Sequence, residues 1–383
     1  MSADVPAIHG TCSDRFAPVR AAFEDNFASK GDVGACVAVS VDGELVVDLW
    51  GGVSDVDSGA EWQRDTIINV YSSTKTMAAM SLLLLADRGE VDLTAPAARY
   101  WPEFAANGKA EVAVSTFLSH SAGLSGMDEP CEGDALYDWE FVTSALARQA
   151  PWWEPGTASG YHALTQGHLI GEIVRRVSGQ TIGEFFAQEI ATPLADGGDF
   201  FIGTPESEFD RIGALIPPDA PPAAGMAEDS IAARTFSNPR ADATVSGSTG
   251  WRKAEIPAAN GHGNARGIVN IQSLLACGGE VRGKRLMSED GCRRIFDVQT
   301  DGEDLVLGVP ITFGMGYGLS TDLLPMGPNK HIAYWGGWGG STVVIDLDAR
   351  MAVSYVMNRM EGSLLGDTRG FGILQAAYQS LAS

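Results

Sequence analysis

Two strand pairs, one near each end of the chain, constrain this sequence more than any other feature. Ala35–Val41 and Leu45–Trp50 are β-rich runs around Asp42-Gly43, a dipeptide that accepts the positive φ of a tight hairpin. Thr342–Leu347 and Met351–Met357 repeat the pattern around Asp348-Ala-Arg350. Each pair is flanked on its outer side by helical patterning: Phe16–Ala28, stopped by Gly31, precedes the first, and a segment from about Leu364 to Leu381 follows the second. A chain that opens helix, strand, strand and closes strand, strand, helix is expected to bring both termini into one antiparallel sheet covered by helices.

The interior alternates helical patterns with Pro/Gly-rich connections. Ile170, Ile173, Val174 and Val177 form an apolar stripe ended by Gly179, while Pro217–Ala224 and Ser246–Gly250 read as irregular surface. No repeat of 20 to 50 residues is visible, which argues against a solenoid or propeller. A length of 383 residues suits one large domain or two interleaved ones. The expected fold is therefore α/β (α+β), with a discontinuous sheet domain over 1–85 and 245–383 and a mostly helical domain, 86–244, inserted into it.

Charge and hydropathy narrow the function. With 26 Lys plus Arg against 49 Asp plus Glu, the net charge of −23 would repel a polyanion, so nucleic acid is not an expected partner. The longest apolar stretch, Met77–Ala86, is far short of the roughly 20 residues that span a bilayer and reads as a core helix, so no membrane is expected either. The opening Met1-Ser-Ala-Asp-Val-Pro-Ala-Ile has no basic head before an apolar run, and Cys12, Cys36, Cys131, Cys277 and Cys292 form no CxxC pair. Reduced, mostly buried thiols in a cytoplasmic protein are the expectation. Self-association is left open.

The chemistry concentrates in Val70-Tyr-Ser72-Ser-Thr-Lys75-Thr-Met77, which leads into that apolar run. If Ser72 begins the helix, Lys75 lies three residues on, on the same face and within reach of the hydroxyl. The helix N-terminus adds a partial positive field and a backbone N–H for an oxyanion. A serine hydroxyl is scarcely acidic, so its activation without histidine needs a neighbouring amine that is neutral enough to take the proton, or that holds another base charged. Ser-Ser-Thr before an apolar helix is also an ordinary N-cap cluster. Yet Lys75 is the only lysine set beside a strongly apolar helix, and a buried lysine needs a reason.

With these residues in place the chain resembles the serine β-lactamase and penicillin-binding-protein superfamily, whose motif is S-x-x-K. It looks most like the class C β-lactamase-like esterases, the family VIII carboxylesterases. Ser72-Ser-Thr-Lys75 is similar to S-x-T-K, and Leu118-Ser-His-Ser-Ala-Gly-Leu124 to the LSHTSGL loop. Trp153-Glu-Pro-Gly-Thr157, Tyr161-His-Ala163 and His168-Leu-Ile-Gly171 resemble the PGT…YSN…LLG segment, and Trp335-Gly-Gly337 stands where K-T-G is expected. The resemblance implies Ser72 as acylated nucleophile, with Lys75 and Tyr161 as proton-transfer partners. Which of the two is the base stays open; a nearby ammonium could stabilise a phenolate and lower the tyrosine pKa. It also implies an oxyanion hole from the backbone N–H groups of Ser72 and Trp338.

Two departures bear on substrate. Ala163 replaces an asparagine that could hydrogen-bond an amide, and Trp335 replaces the lysine that would attract a substrate carboxylate. Both point from β-lactams toward uncharged, short-chain esters. Trp152, Trp153, Trp335 and Trp338 are candidates to line an apolar pocket, with Gly336 and Gly337 letting substrate approach closely. Gly278-Gly-Glu-Val-Arg-Gly283-Lys284 imitates a phosphate loop but continues with Arg285, and no H-E-x-x-H or G-x-S-x-G occurs. The reading is a cofactor-free, metal-free serine hydrolase acting on a small-molecule ester. Amide hydrolysis or acyl transfer at the same site, and a non-catalytic acyl-binding sensor, are the alternatives.

Overall fold

The computed structural model describes residues 5–195, 199–222 and 225–382. The first four residues of the opening read above for a leader, and Ala223–Ala224 of the Pro217–Ala224 stretch, lie outside them. The main strands are β1 (Ile8–Cys12), β2 (Gly34–Val41), β3 (Glu44–Asp55), β4 (Thr300–Glu303), β5 (Pro310–Phe313), β6 (Gly318–Leu319), β7 (Ile332–Gly336), β8 (Thr342–Asp346) and β9 (Met351–Met357). They make one antiparallel sheet in the order β1-β3-β2-β9-β8-β7-β6-β5-β4, with Ala60–Glu61 paired off β3. The two terminal hairpins meet where β9 pairs with β2, Val353 opposite Val39 and Met357 opposite Ala35. Sequence ends and sheet centre thus coincide.

Period-two alternation assigns the faces. Val37, Val39, Val353 and Tyr355 point into one core with Phe23, Phe27, Ile373 and Ala377, from the terminal helices α1 (Ala17–Ser29) and α5 (Thr368–Ala382). Cys36, Ala38, Ala352 and Val356 point the other way, into a larger core shared with α2 (Thr74–Asp87), α3 (Thr165–Ser178) and α4 (Ala265–Ala276). α2 is buried from Thr74 to Ala86, as an almost wholly apolar helix must be. α3 stops at Gly179, whose φ of 75° is the left-handed conformation glycine enters without penalty. Among the described residues no helix is long and apolar enough to cross a membrane, and all five cysteines are free thiols.

Two boundaries differ from the sequence expectation for local reasons. α5 begins at Thr368 rather than near Leu364, because Gly366 takes a φ of 96° and Asp367 caps the helix by accepting the Arg369 N–H at 2.8 Å. Ser246–Gly250 is not irregular: it joins short helical turns at Ala243–Gly247 and Thr249–Lys253, capped by Asp242 and Ser248.

A buried ion pair ties α5 to the turn before β2, and its arginine also reaches the loop after β7. Arg369 contacts Asp32 at 3.1 Å and donates to the Gly339 carbonyl at 2.7 Å, while Tyr355 OH lies 2.6 Å from an Asp32 oxygen. Burial pushes the Asp32 carboxyl up, against the opposing pull of Arg369. Arg369→Met would leave that carboxylate uncompensated, so we expect a loss of about 3–5 kcal/mol in chemical denaturation. A midpoint unchanged from the parent protein would contradict this.

Candidate active site

Ser72 lies in a 3-10 turn, Tyr71–Ser73, that runs directly into α2. Tyr71 holds a φ of 46°, uncommon for an aromatic residue and a form of strain that concentrates at functional sites. Its ring is gripped edge-on by Trp338, with centroids 5.2 Å apart. The chain after β7 is locked onto the same turn: Ser341 Oγ donates to the Val70 carbonyl at 2.9 Å and meets Ser73 Oγ at 2.9 Å. Among the described residues no acceptor meets the backbone N–H of Ser72 or of Trp338, whereas Ser73, Gly337, Gly339 and Gly340 donate theirs within the protein.

Lys75 Nζ stands 3.1 Å from Ser72 Oγ and donates to the carbonyls of Ala163 at 2.8 Å and Ala258 at 2.9 Å. The side chain is fully buried, and that burial holds the amine well below the usual lysine range, with no carboxylate to oppose it. A neutral amine that gives two N–H groups to carbonyls turns its lone pair toward its third neighbour, here the hydroxyl. Tyr161 donates its phenol proton to the same Oγ, and Lys75 Nζ lies 4.7 Å from the centre of its ring. Burial raises the Tyr161 pKa, which the hydrogen bond to Ser72 only partly offsets. The same burial shifts both partners toward their neutral forms and so works against a phenolate–ammonium pair.

The pocket over Ser72 is walled by Tyr71, Trp251, Trp338, Phe236, Leu164 and Leu364 around Ser72 and Tyr161, with Arg240 and Asp242 also lining it. Of the four tryptophans proposed from sequence, Trp338 belongs to this wall and the other three lie elsewhere. Trp335 is buried behind Tyr161, 5.6 Å from its ring and stacked on His120 at 5.8 Å. Trp152 bonds to Asp128 under the Arg234 guanidinium, and Trp153 covers Gly160. Gly336 and Gly337 serve the chain rather than substrate. A Cβ on Gly336 would stand 2.8 Å from the Leu365 backbone, and one on Gly337 would stand 2.1 Å from the Val70 carbonyl.

Two buried histidines hold the loop behind Tyr161. His120 Nδ1 accepts the His162 N–H at 3.0 Å, and His162 Nε2 accepts the Leu124 N–H at 3.1 Å. Burial lowers His162 to about 3 and holds His120 well below its ordinary value. Sequence reasoning missed the Ala163 and Ala258 carbonyls, Ser341, Trp251 and Phe236. A backbone carbonyl leaves no mark in a sequence.

A serine whose oxygen is shared by a buried amine and a phenol, at the head of a core helix beneath an antiparallel sheet, defines a β-lactamase-like serine hydrolase. The Beta-lactamase family profile matches residues 19–378, and the chain belongs to that family. A solved family VIII carboxylesterase is 40% identical with a TM-score of 0.92, covering 98% of this chain and 100% of its own. A penicillin-binding protein homologue from Caulobacter crescentus is 38% identical with a TM-score of 0.88, at 98% and 100% coverage. Esterase/beta-lactamase LipL of Mycobacterium tuberculosis is 34% identical over 390 residues, 98% of this chain and 89% of LipL.

Proposed function

We propose that the protein hydrolyses short-chain, uncharged carboxylic esters through an acyl-enzyme on Ser72. The observation that carries this is the environment of Lys75: a fully buried amine, pushed toward its neutral form, lying 3.1 Å from the nucleophilic oxygen. As Oγ attacks the ester carbonyl its proton passes to the Lys75 nitrogen, and the carbonyl oxygen becomes an oxyanion held by the N–H groups of Ser72 and Trp338. The leaving alkoxide takes a proton from Tyr161, which Lys75 restores. Water then enters on the same path and passes a proton to the Lys75 nitrogen as it attacks the acyl carbon; the bond to Ser72 breaks, Oγ takes that proton back, and the acid leaves. The scheme requires no cofactor.

Ester rather than amide is favoured by what lines the pocket. Ala163 offers a methyl and a carbonyl already engaged by Lys75, so no side-chain amide is there to orient an acylamino group. The walls are largely aromatic and aliphatic. The structural neighbour described as a family VIII carboxylesterase supports this reading, while the name of LipL keeps β-lactam hydrolysis as the second one. Initial rates on p-nitrophenyl butyrate should exceed those on nitrocefin by roughly 10²-fold or more in kcat/KM. Robust nitrocefin turnover beside poor ester turnover would reverse the assignment, and one stable acyl equivalent without turnover would make the protein a sensor.

A further inference from the structure

The chemistry above makes no use of a fully buried carboxylate close to it. Asp304 sits in the turn that joins β4 to β5 at the sheet edge and has no exposed surface. Its Oδ1 accepts three backbone N–H groups: Val306 at 3.0 Å, Leu307 at 2.9 Å and Tyr161 at 2.9 Å. The first two close its own turn. The third reaches across 143 residues to the backbone of the residue that carries the phenol.

We propose that Asp304 is the positioning residue for Tyr161, clamping its backbone so that the hydroxyl meets Ser72 Oγ. The proposal rests on the Ser-Lys-Tyr reading and extends it to the sheet edge. The clamp has a second strand, because the Leu305 N–H donates to the Ser159 carbonyl at 2.9 Å. It also has an apolar backing, since Val306 packs in one buried cluster with Tyr161, Phe313 and Trp335. Closing a turn needs only a short acceptor, which asparagine supplies at lower desolvation cost. Asp304 instead buries a second oxygen, Oδ2, that meets no partner among the described residues. What the carboxylate adds is a stronger, charge-assisted bond to each N–H it holds, the Tyr161 N–H included.

The test uses kcat and KM on p-nitrophenyl butyrate together with thermal melting. Asp304→Ala should lower kcat by about 30-fold or more with KM changed less than about threefold, since a misplacement near 1 Å can cost on the order of 10²-fold. Asp304→Glu, which keeps the charge but moves the oxygens by one methylene, should lose kcat in the same direction. Asp304→Asn, which keeps the Oδ1 acceptor but loses the charge assistance, should fall between the parent and Asp304→Ala. In a Tyr161→Phe background, Asp304→Ala should change kcat less than about threefold, because the phenol it positions is gone. A parental kcat in either Asp304→Ala or Asp304→Glu overturns the proposal, as does an equal loss in the Tyr161→Phe background. Hydrolysis surviving Ser72→Ala would instead remove the underlying mechanism, so the two failures are distinguishable.

Discussion

Ser72→Ala should abolish ester hydrolysis, with kcat falling on the order of 10⁴-fold or more, and should remove the acyl adduct seen by intact mass after brief exposure to substrate. The size follows from covalent catalysis: without Oγ there is no acyl-enzyme, and the remaining N–H donors and binding contacts support only a small residual rate. The fold should survive, because Oγ contributes hydrogen bonds to Lys75 and Tyr161 but little packing. Loss of activity at an unchanged melting temperature therefore isolates chemistry from stability. Near-parental hydrolysis by the alanine variant would eliminate Ser72 as nucleophile.

Lys75→Met should cost roughly 10²–10⁴-fold in kcat, the range over which a positioned general base contributes. The pH dependence of kcat/KM in the parent protein separates the two candidate bases. Lys75 works as base when neutral, and burial depresses its pKa, so the rate should rise through that depressed value and be level well before pH 10. Tyr161 is shifted the opposite way by the same burial, so a tyrosine base would give a profile still climbing at and beyond about pH 10. A climbing profile would move the base to Tyr161 and make Lys75 its electrostatic support.

The same depressed amine carries a stability signature. Between the folded and unfolded pKa values of Lys75 the unfolded chain binds one more proton, so this group makes stability rise with pH across that window and contributes no slope below or above it. The cost of burying this amine is thus greatest below its depressed folded-state pKa and is gone above the unfolded one.

How much of this was legible beforehand depends on the range of the interaction. The two hairpins, the terminal helices and the glycine stop after α3 follow from short-range patterning and reappear within a few residues of their expected bounds. The spacing of Ser72 and Lys75 is likewise local, one turn of backbone, and their contact at 3.1 Å comes from that geometry. Tyr161 was reached only through likeness to a family, since nothing in its own neighbourhood says that its phenol returns to Ser72. The tryptophans show the limit most clearly. Four tryptophans were candidates for the pocket, with Trp335 favoured for its place on the strand beside Ser72, yet side-chain type alone could not tell that Trp338 faces the pocket, Trp335 backs Tyr161, and Trp152 and Trp153 pack elsewhere.

By itself, then, the sequence determined which elements form, which end of which helix bears Ser72, and that an amine lies one turn away, because each depends on backbone periodicity within a few residues. Tertiary structure alone decided the burial that depresses that amine, its contacts with carbonyls 88 and 183 residues away, and the bond from the Tyr161 backbone to a carboxylate 143 residues away. Desolvation and hydrogen bonding act through space on whatever the fold brings near. A backbone carbonyl, present at every position, is invisible until the chain has closed around it.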